Sequence, residues 1–267
     1  MKKKKIKFIY DIFDFLYGEP KGFLQKSVKK AQIKIINKSN GTIICTEERK
    51  QQIQESNPKN LVVIHNSPSS FQLGDFDYNI SNNEKVKIVY VGILQDYRLL
   101  KEVAEAISNS KNFELHIGGF GKYETLFKKM ANDYDNIFFY GRLSYEKTLS
   151  LENQCDIMLC IYDPSIENHR FAAPNKFYEG LMLGKPLVMV KNTGMSKVVK
   201  ENNIGVLIDY SKEGFLEGVT LLSKNKHLWN SMSDKMKDIY NKDYSWTKMQ
   251  ERLINFYDKI KKRSEIL

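Results

Sequence analysis

Short apolar runs closed by glycine, proline or polar turns alternate along this chain with stretches whose apolar residues recur every three or four positions. The first pattern reads as buried strand, the second as amphipathic helix. Lys7 to Phe15 is rich in Ile, Phe and Tyr, and Leu24, Val28, Ala31 and Ile35 follow at helical spacing. Thr42 to Cys45 reads as a strand, Thr46 as the cap of a polar helix running through Gln54, and Leu61 to Ile64 as another strand. Residues 1–68 thus read as strand, helix, strand, helix, strand, and the polar, aperiodic 69–85 as a linker.

A more regular series occupies 86–240. Strands are expected at Val86–Val91, Phe113–Ile117, Ile137–Tyr140, Ile157–Ile161, Leu187–Val190 and Gly205–Ile208. Helices are marked between them by Leu100, Val103, Ala104 and Ile107, then by Tyr123, Leu126, Phe127 and Met130, then by Tyr145–Glu152 and near Met195–Lys200. Two more, at about 213–223 and 226–240, complete the unit. This alternation predicts an α/β fold with a doubly wound, Rossmann-like parallel sheet covered on both faces. Such sheets bind ligands at the carboxyl ends of their strands. Gly92, the Gly118–Gly121 loop, Gly141 and the Asp163–Pro174 loop all fall at such ends. Trp246, Met249, Leu253, Phe256 and Ile260 mark a last amphipathic helix within 241–267.

The segment from Glu167 to Pro186 organises the candidate chemistry. Pro174 suits a helix start, and Gly184 followed by Pro186 suits its end. Phe177, Leu181 and Met182 form an apolar face, while Asn175, Lys176 and Glu179 share another. A helix N-terminus with free N–H groups, a lysine and an amide suits an anion such as a diphosphate. A carboxylate one turn deeper would repel phosphate but accept both hydroxyl protons of a ribose. The competing reading is a capped helix with a solvated polar face.

Composition narrows the partners. Forty-two Lys+Arg against 32 Asp+Glu give a net charge of +10, which favours anionic ligands. No apolar run reaches the roughly 20 residues of a spanning helix. The Lys2–Lys5 run leads into too short an apolar stretch for a signal peptide, which predicts a cytoplasmic protein, with the lysines either solvated or attracted to the inner face of a membrane. The three cysteines, Cys45, Cys155 and Cys160, read as structural thiols of a reducing compartment. The four histidines lack metal-ligand spacing, so no metal is expected. No nucleic-acid-binding motif accompanies the charge, and nucleic acid is not an expected partner.

Other positions carry two readings each. Gly118-Gly119-Phe120-Gly121 does not fit a dinucleotide fingerprint but suits a loop admitting a nucleotide or sugar. Arg98 reaches phosphate or is solvated; Arg142 contacts a base through its main chain or does not. His169 and Arg170 meet the sugar or phosphate, or belong to a mobile polar loop. Asp11 and Asp14 form a carboxylate pair or a strand-end turn.

VIHNSP at 63–68, KIVYVGIL at 87–94, FFYGRLS at 138–144, CDIML at 155–159 and PNKFYEGLMLGKPLV at 174–188 resemble the family-4 (group 1) glycosyltransferases. The resemblance implies the two-domain GT-B fold and retaining transfer from a nucleotide-diphosphate sugar to a glycan or lipid-linked acceptor. That chemistry is frequent in bacterial surface-polysaccharide pathways. YSWTKMQERLINFY at 244–257 looks like the helix that crosses back to the N-terminal domain in that family. Glu179 corresponds to the second glutamate of the family's E-x7-E motif, on the donor ribose. Lys176 and Glu179 are then the expected catalytic pair. The expected donor site adds Gly92, Arg98, Gly119, Gly141, Arg142, His169, Pro174 and Asn175, with no cofactor.

Two departures from the family stand out. Phe171 replaces the first glutamate of the motif, and Ile93 the usual arginine after Gly92. Residues 1–68 also read as only part of an N-terminal, acceptor-side domain. The alternative reading is therefore a non-catalytic nucleotide-sugar-binding subunit that needs a separate N-terminal-half protein.

Overall fold

The computed structural model describes residues 6–15, 22–69 and 76–262. The Lys2–Lys5 run and part of the expected linker, 70–75, lie outside them. The first unit runs β1 (Ile9–Ile12), α1 (Phe23–Lys38), β2 (Gly41–Ile44), a 3-10 turn (Glu48–Gln51) and β3 (Leu61–Val63). Its strands pair in parallel in the order β1-β2-β3.

Two details differ from the sequence reading. The helix expected after Thr46 is only the 3-10 turn, in which the Thr46 hydroxyl accepts from the Arg49 amide at 3.3 Å. α1 forms, yet its core-facing residues are Gln32 and Ile36, not the Leu24–Val28–Ala31–Ile35 stripe. Ile36 packs with Ile12, Ile44 and Val63, and that packing fixes the helix's rotation.

The second unit runs β4 (Val86–Ile93), α2 (Leu100–Ser108), β5 (Phe113–Phe120), α3 (Glu124–Asp133), β6 (Ile137–Phe139), α4 (Tyr145–Gln154) and β7 (Ile157–Cys160). It continues through α5 (Glu167–Arg170), α6 (Asn175–Leu183), β8 (Leu187–Val190), α7 (Ser196–Asn202), β9 (Gly205–Ile208), α8 (Lys212–Lys224) and α9 (Trp229–Ile239). The six strands are parallel, in the order β6-β5-β4-β7-β8-β9. This is the doubly wound Rossmann order, whose direction reverses between β4 and β7.

Alternate residues of β4 serve opposite cores, as its period of two requires. Val86, Ile88 and Tyr90 pack with Val103 and Ile107 of α2, Phe127 of α3 and Phe215 of α8. Val89 and Val91 pack with Leu149 of α4, Phe177 and Leu181 of α6, Val199 of α7 and Met236 of α9. Both faces are therefore dry, which leaves the strand ends as the place for polar chemistry.

The chain crosses between the units twice. After a π-helical turn (Tyr240–Tyr244), α10 (Trp246–Lys262) lies on the three-stranded sheet, where Phe256 and Ile260 bury against Ile43. The two crossings bond to each other. Tyr240 Oη donates to the Pro68 carbonyl at 3.0 Å, Ser67 Oγ donates to the Tyr244 carbonyl, and the His65 amide donates to Met249 Sδ at 3.2 Å.

Candidate functional site

Three glycines meet at the carboxyl edge of the larger sheet. Gly92 of β4 pairs with Gly119 of β5, and the Gly119 amide donates to the Gly141 carbonyl at 2.6 Å. Gly119 and Gly141 have φ of 136° and 64°, and a Cβ on Gly119 would collide with the Gly92 carbonyl oxygen. The result is a floor of bare backbone beside the point where strand order reverses.

Lys176 reaches this floor from the first turn of α6. Its Nζ sits so close that a Cβ on Gly92 would lie 2.8 Å from it, and it lies 4.6 Å from the centre of the Tyr90 ring, a cation–π contact. Pro174 occupies the N-cap position with no side-chain cap, and Gly184 closes the helix with φ 68°. One turn on, Glu179 is buried and bonded by the Tyr145 phenol from α4. Glu152, also from α4, is only 1% exposed, and its Oε2 has no hydrogen-bond partner.

The electrostatics follow from this grouping. Burial raises the Glu179 carboxyl, with Lys176 and the Tyr145 bond pulling the other way. Burial and then repulsion from Glu179 hold Glu152 well above the carboxylate range. For Lys176, burial works against the charge, but the surrounding phenols and the two glutamates outweigh it, and the ammonium titrates above its ordinary value. Lys176 is thus a fixed cation at a helix N-terminus, with two buried carboxyls behind it, both raised by burial.

A cleft of about 420 Å³ adjoins this cluster. Arg98 lies 4.0 Å over the Tyr162 ring, and its Nη1 is 3.1 Å from His169 Nε2. His169 Nδ1 is 2.9 Å from the Asp163 carbonyl. The proton therefore belongs on Nδ1, leaving Nε2 to accept from Arg98, and burial lowers the His169 pKa in keeping with a neutral ring. The opposite wall comes from the first unit. There buried Arg49 donates to Asp14 at 2.7 Å and to Gln52 at 2.8 Å. The loop before α6 is tied to that wall, because Thr46 Oγ1 donates to the Phe171 carbonyl at 3.2 Å and Asn66 Nδ2 to the Ala173 carbonyl at 3.0 Å.

Of the residues singled out in the sequence, Gly92, Gly119, Gly141, Lys176 and Glu179 gather at the strand ends, and Arg98, His169 and Pro174 line the adjoining cleft. Asn175 and Arg142 are exposed, Arg142 lying 4.5 Å over the Phe120 ring. Sequence reasoning missed Tyr90, Tyr145, Glu152, Tyr162 and Arg49. Glu152 stands in the helical pattern as an ordinary polar position, and only the packing of α4 turns it inward. Among the described residues no group of three or more His, Cys, Asp or Glu side chains is arranged to hold a metal ion.

The pattern of the group 1 glycosyl transferases matches residues 75–246, well over half of the chain and all of the larger sheet. The chain belongs to that family. Solved structures share its fold, among them WaaG, a glycosyltransferase involved in lipopolysaccharide biosynthesis, 15% identical with a TM-score of 0.66 over 91% of this chain and 73% of its own. TarM of S. aureus, solved with UDP and alpha-GlcNAc-glycerol, is 18% identical with a TM-score of 0.65, covering 86% of this chain and 46% of its own. Sucrose-phosphate synthase of Thermosynechococcus elongatus is 11% identical with a TM-score of 0.75, covering 97% and 69%. HepE of Anabaena in complex with UDP is 13% identical with a TM-score of 0.72, covering 95% and 72%. The chain thus spans about half the length of TarM. No curated protein matches it. These neighbours and the parallel α/β sheets place the group 1 chain in the GT-B fold.

Proposed function

We propose that this group 1 chain binds a nucleoside-diphosphate sugar at the carboxyl edge of the six-stranded sheet. There it serves retaining transfer of the sugar to a glycan or lipid-linked acceptor. The observation that carries the reading is Lys176 Nζ held against Gly92 over Tyr90, at the N-terminus of α6 and one turn ahead of buried Glu179. In this reading the bare floor of Gly92, Gly119 and Gly141 admits the nucleoside, and Glu179 accepts the ribose hydroxyls. The diphosphate lies between Lys176, the α6 amides and Arg98. A departing diphosphate gains charge in the transition state, and donors fixed beforehand stabilise it without reorganisation. Tyr90 and the glutamates fix Lys176 in that way. The charge is met by side chains and a helix end, with no metal.

The sugar then projects into the cleft between Arg98, His169 and the Asp14–Arg49 wall, where an acceptor enters. The UDP bound in HepE and TarM supports a nucleoside-diphosphate donor, and the resemblance to family-4 enzymes supports retention. We place the reaction in surface-polysaccharide synthesis on the cytoplasmic side of a membrane. No helix among the described residues is long and apolar enough to cross one.

Calorimetric titration with UDP, GDP and ADP tests the reading. One nucleotide should bind selectively, and Glu179→Ala should weaken it by roughly tenfold or more, as for loss of a charged hydrogen-bond acceptor worth about 1.5–3 kcal/mol. Binding to none of the three, or equal binding by the variant, would refute it.

A further inference from the structure

Part of the stretch expected as a linker is strapped onto α4. Gln154 grips it with both ends of its amide: Oε1 accepts from the Tyr78 amide at 3.0 Å, and Nε2 donates to the Phe76 carbonyl at 2.7 Å. A neighbouring parallel strand would give the same pattern, here supplied by one side chain. Lys147 Nζ lies 4.6 Å from the centre of the Phe76 ring, and Tyr78 and Ile80 pack against the core that holds Leu149. Asn83 then donates to buried Glu114 at 2.6 Å.

Tyr78 is the part of this strap that reaches the supports of the site. Its ring meets Tyr140 edge-on, with centres 5.0 Å apart, and its Oη donates to the Lys147 carbonyl at 2.9 Å. One side chain therefore touches the chain on both sides of the turn 141–145. That turn carries Gly141, whose carbonyl takes the Gly119 amide, and Tyr145, whose phenol bonds Glu179. Gly141 adds no anchor of its own, having open space where a Cβ would stand. Tyr140 is fixed from a second direction, its Oη lying 2.8 Å from His116 Nδ1. We propose that Tyr78 is a positioning residue for the donor site, bracing the turn so that the glycine floor and the Tyr145–Glu179 bond keep one geometry. A site holds its geometry within about 0.5 Å only where the side chains supporting it are themselves locked. This role rests on the donor reading above and deepens it, because it makes the segment leading out of the three-stranded unit a support of the nucleoside half of the site.

The test is titration of the full chain with UDP, GDP and ADP, and with the nucleoside of the one that binds, in wild type and variants. Tyr78→Ala should weaken the diphosphate on the order of tenfold, within the range for residues coupled in one network. The nucleoside should lose the same factor, because the turn and Glu179 hold base and ribose. Tyr78→Phe keeps the ring on Tyr140 and should lose less. Gln154→Leu frees the strap without opening a hole and should act in the same direction, which carries the comparison even where Tyr78→Ala does not fold. In a double-mutant cycle with Glu179→Ala the two losses should fall short of additive, since Tyr78 acts through the group removed. Trp229→Phe gives up one bond to the Leu222 carbonyl, away from the turn, and should bind as wild type does. Without ligand, hydrogen exchange in Tyr78→Ala should quicken over 141–154 and not in α8 or α9.

Unchanged affinity in Tyr78→Ala and Gln154→Leu would overturn the proposal. So would full additivity with Glu179→Ala, which would leave Tyr78 a stabilising contact and nothing more. Exchange that quickens evenly across the larger unit would overturn it as well. A wild-type chain that binds none of the three nucleotides would refute the donor reading itself and this role with it, so the wild-type titration tells the two failures apart.

Discussion

Replacing Lys176 with methionine keeps most of the side-chain volume and removes the charge. In the structure the ammonium lies against Gly92 and over Tyr90, within the field of Glu179 and Glu152. A charge-assisted hydrogen bond to phosphate is worth about 1.5–3 kcal/mol. At 1.4 kcal/mol per decade, the nucleoside diphosphate should bind about 10- to 150-fold more weakly. The matching nucleoside, which presents only base and ribose, should lose far less. Lys176→Arg should not restore affinity, because the space beside Gly92 that holds an ammonium is too tight for a guanidinium. Parallel titrations of diphosphate and nucleoside against wild type and both variants measure this. Equal loss for the two ligands, or none for either, would refute the placement of the diphosphate.

Three further outcomes follow from the geometry. The Glu152 carboxyl is held above its ordinary value, so its contribution to stability is present below about pH 4.5 and is lost as pH rises through the folded value. Glu152→Gln should therefore melt progressively higher than wild type as pH goes from 4 to 8, and a difference independent of pH would contradict the buried pair. His65, bonded to Tyr178 at 2.9 Å between the units, is lowered by burial to about 4. Its contribution is full above pH 6.5 and lost as pH falls towards 4. It amounts to about 3 kcal/mol at 1.36 kcal/mol per unit, and the melting profile of His65→Gln should lack that slope. Gly119→Ala puts a Cβ into the Gly92 carbonyl at a φ that alanine resists, which costs about 1–3 kcal/mol in strain alone. Its melting temperature should fall by roughly 5 °C or more, whereas Gly22→Ala, with open space around it, should change little.

Much of this fold is legible in the sequence because a parallel sheet with two dry faces imposes short apolar runs and glycine-closed ends. The limits of α6 are equally readable, since Pro174 and Gly184 each have a backbone reason to stand where they do. The rotation of α1 is not. Leu24–Val28–Ala31–Ile35 and Gln32–Ile36 both keep helical spacing, and only contact with Ile12, Ile44 and Val63 selects the second. The site is legible where main chain decides it, at Gly92, Gly119 and Gly141. It is obscure where burial reverses the usual fate of a polar residue. Nothing in the spacing of Glu152 or Arg49 distinguishes them from solvated neighbours, yet both are almost fully enclosed. Lys176 is legible as a cation at a helix start, but its inward path is not, because that path depends on the missing side chain of Gly92, 84 residues earlier in the chain.

A crystal structure of the chain with the nucleoside diphosphate that binds it tests the central claim most directly. The account predicts the diphosphate within hydrogen-bond distance of Lys176 Nζ and the first amides of α6, with both ribose hydroxyls on Glu179. A nucleotide bound elsewhere, such as the groove at the β9 edge beside Lys191, Lys197 and Lys200, would contradict it.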